Sequence, residues 1–250
     1  MHLTFVPLLA EIREFYRLPR DARRFKKYLY LTLDMEKERV RLPLLGMNPM
    51  AKEHVLELVE NLIAIDAEKI TEAAMHEAAA KVEDVPGSFR VALVVIDDLK
   101  GGWTNRASDE YRQRSSPPPP PGQQYLDWIT PLLWASEPAD GAGVRLETLT
   151  AIYRIAHVHR HGHARTLGEL LAQEGAAMAA AGCETPALDD EELEYTRGVI
   201  APFLESTDMR TCVECLFGDP AARTLGFTPR GLSPRAGLAL ALAEARAVAR

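Results

Sequence analysis

The feature that most constrains this fold is the run at 89–96, Phe-Arg-Val-Ala-Leu-Val-Val-Ile. It is rich in β-branched residues and almost continuously apolar, with Pro86-Gly87 before it and Asp97-Asp98 after it. A segment this short and this apolar makes a strand buried on both faces, and such a strand needs helices to cover it. A second strand is expected at 129–135, where Pro131 confines the chain to an edge or a bulge. Residues 40–45 offer a third. The sheet is therefore small.

The remainder reads as helix. Residues 5–16 carry apolar positions at helical spacing, and Asp21 is placed to cap a helix through Phe25, Tyr28 and Leu29. The alternation at 28–33 also suits a strand. Asn48-Pro49 is a helix start, with Val55, Val59, Leu62 and Ile63 on the buried stripe that follows. An Ala- and Glu-rich helix is expected from Asp66 to about Val82. In the C-terminal half a helix runs from about Gly143 through a histidine cluster to Gly162. Thr166-Leu-Gly-Glu169 is a capping box, and Asp189 and Asp208 each open a further helix. The Asp208 helix is expected to stop at Gly218, and Ser233-Pro234 starts a last Ala/Leu-rich helix. These patterns predict a mostly α protein with a small buried sheet, α/β or α+β, in one globular domain of 250 residues. A proline-rich surface loop is expected at about 112–124, around five consecutive prolines that suit an extended conformation.

Charge and composition narrow the function classes. The net charge of −7 disfavours nucleic acid as a partner, because phosphate contacts need a basic surface. The basic run at 20–27 reads as a solvated helix face. No apolar stretch approaches the ~20 residues that span a bilayer, and the N-terminus lacks the pattern of a secretory signal. Three cysteines are an odd number and suit reduced thiols, so a cytoplasmic location is expected. The last helix is a core element or a homodimer contact.

Three places have residues suited to chemistry. The first follows the buried strand: Asp97, Asp98, a diglycine, then Trp103, Asn105 and Arg106. Ligands of α/β sheets bind outside the carboxyl ends of the strands. Asp97 or Asp98 would serve as general base or cation ligand, and Trp103, Asn105 and Arg106 would bind substrate, the arginine as an anion clamp. The second is His157-Val-His-Arg-His-Gly-His163. His157 and His161 have the i,i+4 spacing that brings two imidazoles to one metal, and His161 is also a candidate acid or base. His159 falls on the apolar stripe. The third is Cys212-Val-Glu-Cys215, either half of a thiolate site that two of the histidines would complete or a pair of core residues. Zinc or iron would be the metal. The expected function is an enzyme acting on a small-molecule ligand, with metal-assisted hydrolysis of a small anionic substrate named first. A non-catalytic binding or scaffold protein, or a metal-stabilised structural module, is the alternative.

Overall fold

The computed structural model describes residues 1–34, 39–40, 46–99, 104–115 and 128–248. In chain order the elements are β1 (His2–Phe5), α1 (Leu9–Arg17), α2 (Ala22–Thr32), β2 (Leu33–Asp34), β3 (Arg39–Val40), α3 (Glu53–Ala64), α4 (Ala67–Ala79), β4 (Ser88–Val91) and β5 (Val94–Ile96). There follow α5 (Arg106–Ser115), β6 (Trp128–Ile129), β7 (Leu132–Trp134), α6 (Gly141–His161), α7 (Leu167–Ala181), α8 (Asp190–Ile200), α9 (Met209–Thr224) and α10 (Ala236–Val248). The described residues are mostly helical, with two small parallel sheets and an antiparallel pair of β2 and β3. Among the described residues no helix is long and apolar enough to cross a membrane. Two compact units emerge, one of residues 1–105 and 118–152, the other of 106–117 and 153–250.

In the first unit the apolar run at 89–96 makes two strands instead of one. β4 lies between β1 and β6 in a parallel three-stranded sheet, whereas β5, among the described residues, pairs in parallel with β7. Both chains break at the same level. Pro131 has no N–H to give, and the ladder is carried past it by Ala92 N–H to Ile129 O (3.2 Å) and Val94 N–H to Pro131 O (3.1 Å). β1 takes in Phe5, the first residue of the helix expected over 5–16, and is extended because its backbone completes the sheet beside β4. The 28–33 alternation resolves as helix up to Thr32, and of the expected 40–45 strand only Val40 is described. The apolar faces of α1 and α3, with Ile12, Phe15, Val55, Val59 and Leu62, close over Val94 and Val95 in one buried cluster.

The second unit is helical. The capping signals at Thr166, Asp189 and Asp208 are all made: Thr166 Oγ1 accepts from Glu169 N, Asp189 from Glu192 N and Asp208 from Thr211 N. Gly218, at φ 75°, is the kink that separates the two parts of α9. The first half of α10, from Ala236 to Leu242, is buried against α7, α8 and α9, so its apolar face is covered within the unit. Gly175 of α7 permits that crossing, since a Cβ there would overlap the carbonyl of Ala241.

Candidate functional site

The end of β5 is where polar groups converge in the first unit. The apolar stripe of α3 packs that helix on β5, and this brings the first turn of α3 against the residue that leaves the strand. That residue is Asp97, whose side chain is 0% exposed. Its Oδ1 faces Nε2 of His54 at 2.8 Å and accepts from Leu99 N at 3.2 Å, and its Oδ2 accepts from Asn48 Nδ2 at 2.9 Å. The Asp97 carbonyl accepts from Thr104 Oγ1. A carboxylate so bonded acts as acceptor on both oxygens, which assigns the imidazole proton to Nε2. The other ring nitrogen, Nδ1, is buried and has no hydrogen-bond partner among the described residues.

Asn48 is not the helix cap expected of it. Lys52 holds the N-cap position of α3, and the Asn48 amide instead bridges Met50 N (3.0 Å) and Asp97. The Asn48 carbonyl accepts from the Tyr16 hydroxyl at 2.9 Å. Burial pushes that hydroxyl well above the usual tyrosine range; Arg24 opposes the shift and Asp97 adds to it, so Tyr16 stays a donor. Arg24 is itself buried, stacked on Tyr16 at 4.8 Å, and donates to the carbonyls of Leu18 and Ala51.

The other residues expected here go elsewhere. Asp98 accepts from Ser136 Oγ (2.6 Å) and Ser136 N (2.9 Å), which ties the ends of β5 and β7 together. Asn105 is half-buried at the end of the first unit, and Trp103 lies outside the described residues, as does the proline-rich loop from 116 onward. Arg106 opens α5 in the second unit, where its Nε donates to Glu110 Oε1 at 2.7 Å. His54 is the candidate site residue that sequence reasoning missed. It is an isolated histidine on an amphipathic helix, and only the packing of that helix on β5 brings it to Asp97.

The histidines of the second unit are arranged differently from the helical-wheel expectation. His159 is exposed, not on the core stripe, because α6 has left the apolar surface by its last turn. His157 and His161 do face each other, with ring centroids 4.5 Å apart. Partial burial and then His161 depress the His157 pKa, so the imidazole is neutral at neutral pH. Cys212 and Cys215 are free, wholly buried thiols, pushed up by burial to about 11 and about 12. Both thiols are packed as core side chains. Among the described residues no group of three or more His, Cys, Asp or Glu is placed to hold a metal ion, so the mixed site of Cys212, Cys215 and two histidines is not assembled there.

The second unit also contains a network of arginines and glutamates. Glu174 is bonded to Arg154 Nε (2.7 Å) and Nη2 (2.9 Å) and to Arg114 Nε (2.8 Å). Glu110 takes Arg235 on both oxygens at 3.0 Å, with Arg106 on Oε1 and Arg114 on Oε2. Comparison with protein-family models, with curated proteins and with solved structures gives no match for this chain.

Proposed function

We propose that the first unit carries a catalytic site in which Asp97 orients His54 as a proton acceptor, and that the reaction is hydrolysis of a small substrate. The observation that carries this is the geometry of the pair. Asp97 accepts from Asn48 and Leu99 and fixes Nε2 of His54, while Nδ1 of His54 is buried without a partner among the described residues. In a neutral imidazole protonated on Nε2, Nδ1 holds the lone pair. A water positioned against it gives its proton to Nδ1 as its oxygen bonds to the electrophilic carbon or phosphorus of the substrate. The buried carboxylate then stabilises the imidazolium, and the same proton is returned to the leaving group.

An anionic substrate is the first choice. Arg24, bonded to carbonyls rather than to a carboxylate, adds positive potential on the Tyr16 side of the site. Metal assistance by zinc or iron would use Nδ1 as one ligand with Asp97 behind the ring. That version has less support, since the further ligands are not grouped with it among the described residues.

Two measurements test the reading. The ring ¹⁵N shifts of His54 should report a proton on Nε2, a preference that weakens in Asp97→Asn. Turnover of p-nitrophenyl acetate or p-nitrophenyl phosphate should fall by roughly 10²–10⁴ in His54→Gln. A proton on Nδ1 in the wild type, or hydrolysis unchanged in His54→Gln, overturns the catalytic reading. The expected tautomer with no turnover of either ester would instead favour a non-catalytic binding protein.

A further inference from the structure

Arg24 is a buried charge held by neutral groups. The residue is 3% exposed, and its guanidinium lies 5.3 Å from the centre of the Phe15 ring and 4.8 Å from that of Tyr16. A guanidinium has five N–H donors and keeps its charge at neutral pH. Nη1 gives one bond to Leu18 O at 3.3 Å and Nη2 gives one to Ala51 O at 3.2 Å. Nε is buried and has no hydrogen-bond partner among the described residues. Glu53 attracts the group, but it is engaged with Arg20 at 3.5 Å, and repulsion from Arg20 outweighs that attraction. Tyr16 is no counter-ion either, since its hydroxyl stays protonated.

An ionised group taken out of water without an opposite charge beside it is strongly unfavourable. An apolar side chain of similar length would cover the rings of Phe15 and Tyr16 without that cost. The surroundings of Arg24 give its charge a use. Its anchor, the Ala51 carbonyl, immediately precedes the N-cap Lys52, and His54 is the second residue of α3. The Tyr16 hydroxyl donates to Asn48 O, and the Asn48 amide donates to Asp97. The segment 48–54 therefore joins Arg24 to the His54–Asp97 pair. Two buried polar atoms without partners among the described residues border it: a charged donor, Arg24 Nε, and an acceptor, His54 Nδ1.

We propose that Arg24 binds the carboxylate of a small ester and so presents the ester carbon to the water activated by His54. This rests on the hydrolytic reading of the His54–Asp97 pair. A carboxylate is planar and accepts two parallel N–H bonds from one edge of a guanidinium, which suits Nε and the N–H bonds that Leu18 and Ala51 do not take. Its single negative charge matches one arginine, whereas a phosphate dianion would bring twice that charge. In the reaction the water oxygen bonds to the ester carbon as its proton passes to Nδ1. The carbon–oxygen bond to the alcohol then breaks, and the alcohol leaves with that proton.

Propionate is the binding probe, titrated at low salt into the full chain and followed by calorimetry and by the ring ¹⁵N shifts of His54. Propionamide is the uncharged control. One saturable propionate site that shifts His54 is expected, at least tenfold tighter than propionamide, and Arg24→Met should weaken it tenfold or more. Circular dichroism checks folding. Arg24→Lys keeps the charge but loses the fork, so it should also weaken propionate even where the methionine variant fails to fold. In turnover, mono-p-nitrophenyl succinate should exceed p-nitrophenyl acetate at least tenfold in kcat/KM, a preference erased in Arg24→Met. No saturable propionate binding, binding unchanged in both Arg24 variants, or equal kcat/KM for the two esters overturns the proposal and leaves the hydrolytic reading standing. Arg24-dependent propionate binding with neither ester hydrolysed supports the carboxylate site and overturns hydrolysis instead.

Discussion

Removing the Glu174 carboxylate should destabilise the second unit more than any exposed ion pair in the chain. Glu174 lies on α7 with no exposed surface, and its two oxygens hold Arg154 and Arg114 through three charge-assisted bonds of 2.7 to 2.9 Å. Glu174→Gln keeps the shape and removes the charge, leaving two buried guanidinium groups with one carboxylate fewer between them. Breaking one side of a buried pair costs about 3–5 kcal/mol. Linkage gives a second, independent figure. Burial alone would raise the Glu174 pKa, but Arg154 and then Arg114 overcome it, moving the group from 4.5 to about 2. At about 1.4 kcal/mol per unit, that shift corresponds to roughly 3 kcal/mol. The sign follows from the direction: the folded pKa is the lower one. This stability is therefore present above pH 4.5 and is lost as pH falls toward 2.

The assay is urea denaturation of wild type and Glu174→Gln between pH 7 and pH 3. Far-UV circular dichroism is the proper probe, because Trp128 and Trp134 belong to the first unit and their fluorescence reports that unit. The variant should lose about 3 kcal/mol at pH 7 and show a shallower fall into acid, the remaining slope coming largely from Glu110. A loss under about 1 kcal/mol, or an acid slope identical to wild type, would refute the view that this network is a stabilising element.

Two further predictions concern packing. Gly175→Ala should destabilise the chain by about 1–3 kcal/mol in the same assay, because a methyl group there meets the Ala241 carbonyl and pushes α10 from α7. A melting temperature equal to wild type would mean that the crossing is looser than described. Cys212 and Cys215 should resist iodoacetamide at pH 7.5 in the native state and react once unfolded, since burial keeps both thiols protonated. Elemental analysis should likewise find no zinc that depends on them; near-stoichiometric zinc lost in Cys212→Ala would restore a metal-site reading.

Much of the secondary structure was legible because its causes are local. Thr166, Asp189 and Asp208 cap the amides beside them, and Gly218 kinks α9 by its own φ. The run at 89–96 announced buried β structure for the same reason, since apolar, β-branched residues with turn signals on both sides carry that information within ten residues. Its division into β4 and β5 was not legible. The break depends on Pro131 in the neighbouring chain, and β1 is a strand only because β4 lies beside it.

The candidate site divides along the same line. Asp97 was found because carboxylates after a buried strand are visible in sequence. His54 was not, because it stands 43 residues away and nothing in its own neighbourhood marks it. Arg106 was recognised as an anion-binding side chain, but its partners, Glu110 and, on the same oxygen, Arg235, come from the packing of helices. By itself the sequence determined most of the helices, the caps at Thr166, Asp189 and Asp208, the presence of buried β structure at 89–96 and the residue types able to do chemistry, since these rest on interactions within a turn or two. Tertiary structure alone decided which of those residues meet. A hydrogen bond or an ion pair acts over about 3 Å, and only burying apolar faces of distant segments brings its two ends that close.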